Sequence, residues 1–383
     1  MSLHDALGPK DARLRHDVFN CKRMRFLILA LLSLSLTGCS SLREKPVFTM
    51  GLDATAETRR LMFPPESDGE VPRYVYLGEL RGETNIHRPE EFGQGVVNSI
   101  FRVLDIIAGP APPMVLDRPQ SGTVDNRGRV FVTDIGRGAV FMFDETVPEV
   151  KVWSKAEGLV DFVSPVGIAI GPDGQMFVAD ADLGLVARLG PDGQTLPSIG
   201  KEHLDRPNGV AYDPLARKLY VADASAHQVK IFNLEGLLLA ELGARGDGPG
   251  EFNFPTHLAV ANEKLYVTDT MNARVQVFST TTGSYLGTIG KRGMFIGDLS
   301  RPKGVAVDSE DNVYVVESYF DYLLIYNRRG QFLMPLGGVG FSAGQFHLPS
   351  GVWIDARNRV YVADMMNSRI AVFQFLGGGS ENE

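Results

Sequence analysis

The chain repeats one short pattern six times. Its clearest copies are "KLYVADASAHQVKIF" from Lys218, "KLYVTDTMNARVQVF" from Lys264 and "RVYVADMMNSRIAVF" from Arg359. Weaker copies begin at Arg129, Gln175 and Asn312. Because repeats at a fixed period mark an array of similar structural units, the units are interpreted before any single residue.

Each unit opens at a proline, and the spacing of these prolines defines the period. The prolines are Pro119, Pro165, Pro207, Pro255, Pro302 and Pro349, at intervals of 46, 42, 48, 47 and 47 residues. Most units contain four apolar runs rich in Val, Ile, Phe and Tyr, bounded by Gly, Asp, Asn or Pro. Such short, punctuated runs are typical of β-strands. Four strands per unit at this period predict the blades of an all-β, six-bladed β-propeller.

The units also resemble a known repeat. The pattern P-x-G-V-A-V-D, then Y-V-A-D, then N-x-R-V-x-V-F is clearest in residues 301–308 and 269–278. It resembles the NHL repeat, over about two-thirds of the chain. The resemblance implies a six-bladed propeller, and NHL propellers in general serve as recognition platforms.

The sixth unit is incomplete, which predicts how the ring closes. Its third apolar run ends at Phe375, and only "LGGGSENE" follows, so we expect residues 377–383 to be a flexible tail. The missing strand is found before the first unit, as "YVYLGEL" in residues 74–80. Pairing this strand with the last blade would hide an open sheet edge. The predicted propeller is therefore residues 74–376.

Residues 81–116 are predicted to be an insertion between the closing strand and the first unit. Within the insertion, apolar residues recur at helical spacing: Val97, Ile100, Phe101, Leu104 and Ile107. We therefore expect one inserted helix, packed against the propeller.

The beginning of the chain has the layout of a signal peptide. Basic residues precede a short apolar run, Phe26 to Leu36, and Leu36-Thr37-Gly38-Cys39 resembles the bacterial lipobox. The resemblance implies cleavage before Cys39 and lipidation of its thiol, with residues 1–38 as upstream extension and signal peptide and translation beginning at Met24. Residues 39–73 would then form a tether. Because Ser40 is not Asp, analogy favours the periplasmic side of an outer membrane.

Charge and cysteine content narrow the partners of the mature chain. From residue 39 onward there are 32 basic and 43 acidic residues, a formal charge of −11. This balance argues against a nucleic-acid partner. Only Cys39 would remain, so the mature chain has neither an internal disulfide nor a thiolate metal site.

One face of the predicted propeller collects the polar residues of every unit. It carries the turns between second and third strands, and is called the hairpin face below. A carboxylate recurs at these turns: Asp134, Asp180, Asp223, Asp269, Glu317 and Asp364. They could form a metal ring, but capping of backbone N–H groups at a turn is the simpler interpretation. No metal ligand is therefore assigned.

Two departures from the repeat point to a functional site. At the channel mouth, His257 replaces a glycine beside Asn208 and Thr256; we expect either a hydrogen-bonded structural histidine or a functional one. In the fifth unit, apolar residues fill two adjacent loops, with two basic residues nearby. The predicted partner-binding residues are Met294, Phe295, Ile296, Arg301, Lys303, Tyr319, Phe320 and Tyr322. Aromatic side chains on such loops favour a protein interface.

These features predict a membrane-tethered scaffold in the cell envelope that binds a protein or peptide and needs no cofactor. The alternative is a metal-dependent propeller enzyme with its site in the central channel. Gluconolactonase-type lactonases and peptidyl-hydroxyglycine amidating lyases are similar six-bladed propellers. Their metal ligands have no residue-by-residue match in this sequence, so the sequence does not assign a catalytic residue.

Overall fold

The described part of the chain forms a ring of six antiparallel sheets. A computed structural model describes residues 49–87 and 112–377. The first strands of the sheets are Pro119–Val124, Pro165–Ile170, Pro207–Asp213, Pro255–Ala261, Pro302–Val307 and Pro349–Ile354. The second strands are Val130–Asp134, Met176–Asp180, Lys218–Asp223, Lys264–Asp269, Val313–Glu317 and Arg359–Asp364. The six blades of the predicted propeller are confirmed.

The third and fourth strands complete each blade toward the outside of the ring. The third strands are Ala139–Asp144, Leu185–Leu189, Gln228–Phe232, Arg274–Ser279, Tyr322–Tyr326 and Arg369–Phe375. In blades 1 to 5 the fourth strands are Glu149–Trp153, Thr195–Ile199, Leu238–Leu242, Tyr285–Ile289 and Phe332–Gly337. In blades 1 to 5 the strands pair in sequence order, and in blade 6 the first three strands do so. Successive first strands contact one another around the centre, and the first strand of blade 6 contacts that of blade 1.

Apolar side chains fill the space between neighbouring blades. One buried cluster joins blades 5 and 6, with Tyr314 and Phe373 among its members. Another joins blades 6 and 1 through Trp353 and Phe141. Since each blade packs a sheet face against both neighbours, its middle strands are buried on both sides, as in Val313–Glu317. This explains why the repeated runs are almost continuously apolar rather than alternating.

The closing strand is found where the sequence predicts it. Tyr74–Leu80 pairs antiparallel with Arg369–Phe375, in a register that places Tyr74 opposite Phe375 and Leu80 opposite Ile370. Tyr76 is buried between blades 5 and 6. The Tyr74 hydroxyl lies 2.8 Å from the Tyr314 hydroxyl, which ties the closing strand to blade 5. The N-terminal part of the propeller therefore completes blade 6.

The segment before the closing strand is more ordered than a tether would be. Met62–Phe63 pairs with the closing strand and makes blade 6 five-stranded. Further back, Thr49–Met50 pairs with Ile86–His87. Residues 49–73, expected to belong to the tether, are therefore part of the propeller body, because their backbone groups bond to the closing strand and the segment after it.

Several expectations concern residues outside the described ranges. These are the signal peptide, the lipidation site Cys39, the helix expected near residues 97–107 and the end of the tail. The described ends of the insertion lie together, since Gly82 pairs with Val115 beside the start of blade 1. The helices in residues 49–87 and 112–377 are single 3-10 turns, and none of them could span a bilayer.

The repeated carboxylates hold each blade together at the hairpin face. In blade 2, the N–H groups of Val163 and Ser164 donate to the Asp180 carboxylate at 2.8 and 3.0 Å. The N–H of Leu183, in the hairpin itself, donates to the same group at 3.1 Å. Equivalent bonds reach Asp134, Asp223, Asp269, Glu317 and Asp364. Each carboxylate thus connects the hairpin to the chain just before the blade-opening proline, as the turn interpretation predicts.

The closure predicts a large cost for shortening Tyr76. We expect Tyr76→Ala to lower the free energy of unfolding by about 3–5 kcal/mol, because it leaves a cavity between blades 5 and 6. Val75→Ala, on the half-buried side of the same strand, is the matched control and should cost far less. Urea unfolding measures both; equal losses would contradict the closing role of the strand.

The carboxylate network predicts a contrast between two aspartates of one hairpin. Asp180→Ala should destabilise the protein by about 2–4 kcal/mol, because buried N–H groups lose their acceptor. Asp182 is half exposed and pairs with Arg206 on the surface, so Asp182→Ala should stay within about 1 kcal/mol of the parent protein. Thermal and urea unfolding of the two variants provide the test, which an unaffected Asp180→Ala protein would fail.

Candidate functional site on the hairpin face

The six first strands line a central channel of mainly small apolar side chains. The cavity measures about 250 Å³. Its walls are built largely from Val, Ala, Ile and Gly, with Tyr212 and Trp353 as the largest contributors. Trp353 lies against Gly122 and stacks on Tyr361 at 5.6 Å between ring centroids. The channel therefore offers a narrow space whose side chains are mainly small and apolar and whose backbone polar groups are also exposed to the cavity.

Glycine occupies the third position of four first strands because the next blade comes very close. A Cβ on Gly167 or Gly209 would meet the backbone oxygen of Asn208 or Thr256, respectively. Gly304 and Gly351 are crowded in the same way by blades 6 and 1. Ser121 and His257 hold this position in blades 1 and 4. His257 thus places an imidazole where most other blades place no side chain.

The imidazole of His257 is buried without a polar partner. Only 7% of the residue is exposed, and within the described ranges neither Nδ1 nor Nε2 has a hydrogen-bond partner. Burial and, to a smaller extent, the positive charge of Lys303 lower the pKa of His257 to about 3. The ring is therefore neutral at physiological pH. The structural hydrogen bond that would explain a buried histidine is not made.

The second residues of the first strands form a collar above this ring of glycines. The collar residues are Gln120, Val166, Asn208, Thr256, Lys303 and Ser350. Ser350 donates to Gln120 at 3.1 Å, and the hydroxyls of Thr256 and Thr270 lie 2.7 Å apart. Asn208 Oδ1 is buried without a donor from the part of the chain that the structure describes. The collar therefore contains one charged residue, Lys303, and one acceptor that no described residue matches.

Lys303 and Arg301 are cations without a carboxylate partner in the described part of the chain. Burial lowers the pKa of Lys303, and the neighbouring Arg301 guanidinium lowers it further. Three other basic residues on the hairpin face are neutralised by carboxylates. They are Arg206 by Asp182, Arg274 by Asp269, and Arg369 by Asp364 and Glu79. The start of blade 5 is therefore one place on this face where positive charge has no ion-pair partner within the described ranges.

The apolar loops of blade 5 are exposed together. Met294 and Phe295 are 84% and 83% exposed, and Ile296 and Tyr319 each 61%. Phe320 and Tyr322 are half-buried instead; they line a notch of about 60 Å³ beneath the loop 294–296. The two loops therefore do not cover the residues at their tips. Phe320 and Tyr322 lie beneath these tips and are less exposed than they are.

The exposed apolar surface extends into blades 4 and 6, which the sequence reasoning did not anticipate. Further exposed apolar residues on the same face are Phe254, Met271, Val339, Phe341, Leu348 and Met366. Phe254 and Leu348 have left-handed backbone angles, φ +54° and +49°, which bulky residues rarely adopt. Together with Met294, Phe295, Ile296 and Tyr319, these residues are called the apolar belt. The sequence does contain apolar residues at the corresponding place in blade 6: the linker "GVGFSAGQFHLP" is the counterpart of "GMFIGDLSRP" in blade 5.

Residues 49–87 and 112–377 contain no group of three or more His, Cys, Asp or Glu side chains that could hold a metal ion. The carboxylates on the opposite face are used in turns. Asp125 Oδ1 accepts the N–H groups of Arg127 and Arg129, each at 2.9 Å. Asp308 and Asp355 accept equivalent bonds. What the hairpin face offers is a buried neutral imidazole, unpaired cations and exposed apolar loops.

Comparison with known families agrees with the fold. A family model described as "6-bladed beta-propeller" matches residues 213–290 and, overlapping them, 253–319. Among solved structures, a streptogramin B lyase superposes with a TM-score of 0.52 and 12% identity, covering 68% of this chain and 94% of the lyase. An auxiliary nutrient binding protein from Bacteroides thetaiotaomicron gives 0.53 and 13%, with coverages of 68% and 70%. The chain is similar to these proteins in fold; the NHL repeat stays a prediction.

Sequence comparison finds partial relatives among curated proteins. Peptidyl-glycine alpha-amidating monooxygenase B of Xenopus laevis is 28% identical over 148 residues, 34% of this chain and 17% of that protein. Peptidylglycine alpha-amidating monooxygenase of Rattus norvegicus is 29% identical over 142 residues, 33% of this chain and 14% of that protein. The matches thus span about a sixth of the length of these relatives.

The buried imidazole predicts a specific acid response. An unfolded histidine has a pKa near 6.5, whereas that of folded His257 is about 3. Between these two pKa values the histidine is protonated in the unfolded chain but not in the folded one. Each unit by which the pH is lowered below about 6.5 therefore reduces the free energy of unfolding by about 1.4 kcal/mol. We expect His257→Gly, the residue of most other blades, to remove this part of the decline. Unfolding of both proteins between pH 7 and about pH 4 measures it; identical pH slopes would contradict the prediction.

Proposed function

We propose that this chain is a peptide- or protein-binding propeller, anchored by lipid in a bacterial cell envelope, on the periplasmic side of the outer membrane. The observation that carries the binding function is the apolar belt, which lies on one face beside the unpaired cations Arg301 and Lys303. The anchor and the location depend on the lipobox-like sequence ending at Cys39.

The composition of the face favours a polypeptide ligand. Exposed apolar clusters of this kind are typical of interaction sites, and aromatic residues with Arg are enriched where binding energy concentrates. Phe295 and Tyr319 are such aromatic residues, and the notch beneath them can take one apolar side chain. Two unneutralised cations beside the belt favour a partner that brings negative charge to the same place.

The relatives support a peptide rather than another ligand class. By their names, the monooxygenases of Xenopus laevis and Rattus norvegicus act on peptidyl-glycine, which is a peptide group. A propeller that holds a peptide on its hairpin face is consistent with both the names and the belt.

A second candidate function is catalysis in the channel, and His257 favours it. A neutral imidazole without a partner can accept a proton or bind a metal ion. Elemental analysis of the purified protein separates the two functions. A metal bound at one equivalent, and lost in His257→Gly, would support an enzyme; its absence from an active peptide binder would support the scaffold.

The scaffold function predicts selective loss of binding when the belt is made polar. A phage-displayed library of random twelve-residue peptides would be selected on the full chain. We expect the enriched peptides to bind the combined Met294→Ser, Phe295→Ser, Tyr319→Ser variant at least about 10-fold more weakly, because several apolar contacts are removed.

The matched control changes exposed apolar residues elsewhere. Leu237 and Leu239 lie on the outer part of blade 3 and are also exposed, so Leu237→Ser with Leu239→Ser should leave peptide binding unchanged. All variants should unfold at the parent temperature, since the altered side chains are at the surface. Equal weakening by both sets of changes would argue against the belt as the binding site.

A further inference from the structure

The channel mouth contains unmatched hydrogen-bonding groups of both kinds. Lys303 is a half-buried cation with no carboxylate within ion-pair distance in the described ranges. Among the described residues, Asn208 Oδ1 is an acceptor without a donor, and the imidazole of His257 has one free donor and one free acceptor. Buried polar groups are normally paired, and each unpaired one is costly. A ligand that matched them would recover this cost.

These groups lie together at the starts of adjacent first strands. Gly209, next to Asn208, packs against the backbone of Thr256 and His257. His257 and Lys303 are the third and second residues of neighbouring first strands that contact each other, and the positive charge of Lys303 lowers the pKa of the imidazole. Blades 3, 4 and 5 therefore present one acceptor, one imidazole and one cation around the same opening.

The unmatched set requires an anion and an N–H donor on the same ligand. A carboxylate can accept from Lys303 and from the His257 N–H, and such charge-assisted bonds are the strong ones. A neighbouring amide N–H can donate to Asn208 Oδ1. Acetate has no hydrogen-bond donor, so it would satisfy the cation and leave this acceptor unpaired. A carboxyl group with an adjacent N–H is the chemistry of the last residue of a polypeptide.

We propose that the channel mouth is a binding site for a carboxylate with an adjacent N–H donor, namely the C-terminal residue of a peptide whose preceding residues lie on the apolar belt. The site rests on the proposed peptide-binding function and specifies its ligand. Lys303 is the counter-ion, and His257 and Asn208 bind the carboxylate and the amide N–H.

The placement of the belt fits this ligand. Pro302, next to Lys303, is opposite Glu317 in the sheet, two residues before Tyr319. A peptide that ends at the mouth would therefore leave it beside the exposed aromatic residues of blade 5. Below the mouth, the cavity is lined by Val210, Leu258 and Val305 among others. The limited volume of the cavity, about 250 Å³, favours a small side chain on the last residue.

Three probes separate the sources of the carboxylate. The belt-binding peptides selected above would be synthesised with a free C-terminus and with a C-terminal amide, and N-acetylalanine would represent the free small molecule. Binding to the full chain would be measured by calorimetry and by the fluorescence change of Trp353 in a Trp153→Phe background. The variants are Lys303→Gln and His257→Gly, with Lys291→Gln as control, an exposed lysine on the same face.

We expect the free-acid peptides to bind about 10- to 100-fold more tightly than their amides, the value of one charge-assisted contact. Lys303→Gln should reduce the free acid to the level of the amide, and His257→Gly should weaken it while keeping the parent melting temperature. Lys291→Gln should change neither. Binding of N-acetylalanine that depends on Lys303, with no peptide binding, would keep the carboxylate site and refute the peptide source and the scaffold function.

Other outcomes overturn the inference. If free acids and amides bind equally and both depend on the apolar belt, the scaffold function stands and the carboxylate site is wrong. If a free-acid preference survives in both Lys303→Gln and His257→Gly, the carboxylate binds elsewhere. Absence of saturable binding for all three probes refutes the carboxylate site and the peptide-binding function together.

Discussion

The structure depends on a buried carboxylate at the hairpin of each blade. In blade 2, Asp180 accepts backbone N–H groups from its own hairpin and from the chain just before Pro165. The bond joins the second strand to the point where the chain returns from the outer edge of the previous blade. Together with the bond from the Ala181 N–H to the Ser164 carbonyl, this carboxylate fixes the position at which the next first strand begins.

Blade 5 differs from the blades beside it in how this interaction is completed. In blades 4 and 6, an arginine also bonds the carboxylate, as Arg274 does with Asp269 and Arg369 with Asp364. Blade 5 has Tyr322 at the corresponding position, opposite Glu317. The longer glutamate still accepts the N–H groups of the preceding linker. Within the described ranges, Arg301 and Lys303 beside it have no ion-pair partner. The position that holds a structural arginine in blades 4 and 6 therefore holds an aromatic residue in blade 5, next to unpaired charge.

Much of the fold could be predicted from the sequence, because each blade repeats the same local pattern. The proline period, the four strand runs and the missing outer strand of blade 6 together imply the closed ring and the role of Tyr74–Leu80. The ordered stretch before Tyr74 was missed, since Met62–Phe63 is too short to show a strand period. Of the candidate site, the exposed tips Met294, Phe295 and Tyr319 follow from apolar residues in loops.

By itself the sequence determined the number of blades, the closing strand and the places where the repeat is broken, because these depend on pattern and spacing along the chain. Only the tertiary structure decided whether the residues that depart from the repeat are exposed, buried or paired. Exposure, pairing and burial depend on neighbours that are distant in sequence: Phe320 supports a loop tip, Arg369 is neutralised by Glu79 on the closing strand, and Lys303 has no ion-pair partner in the described ranges. The same physical cause leaves His257 buried and unmatched by any described residue at the channel mouth, at a position where the close approach of neighbouring blades requires glycine in four of the six blades.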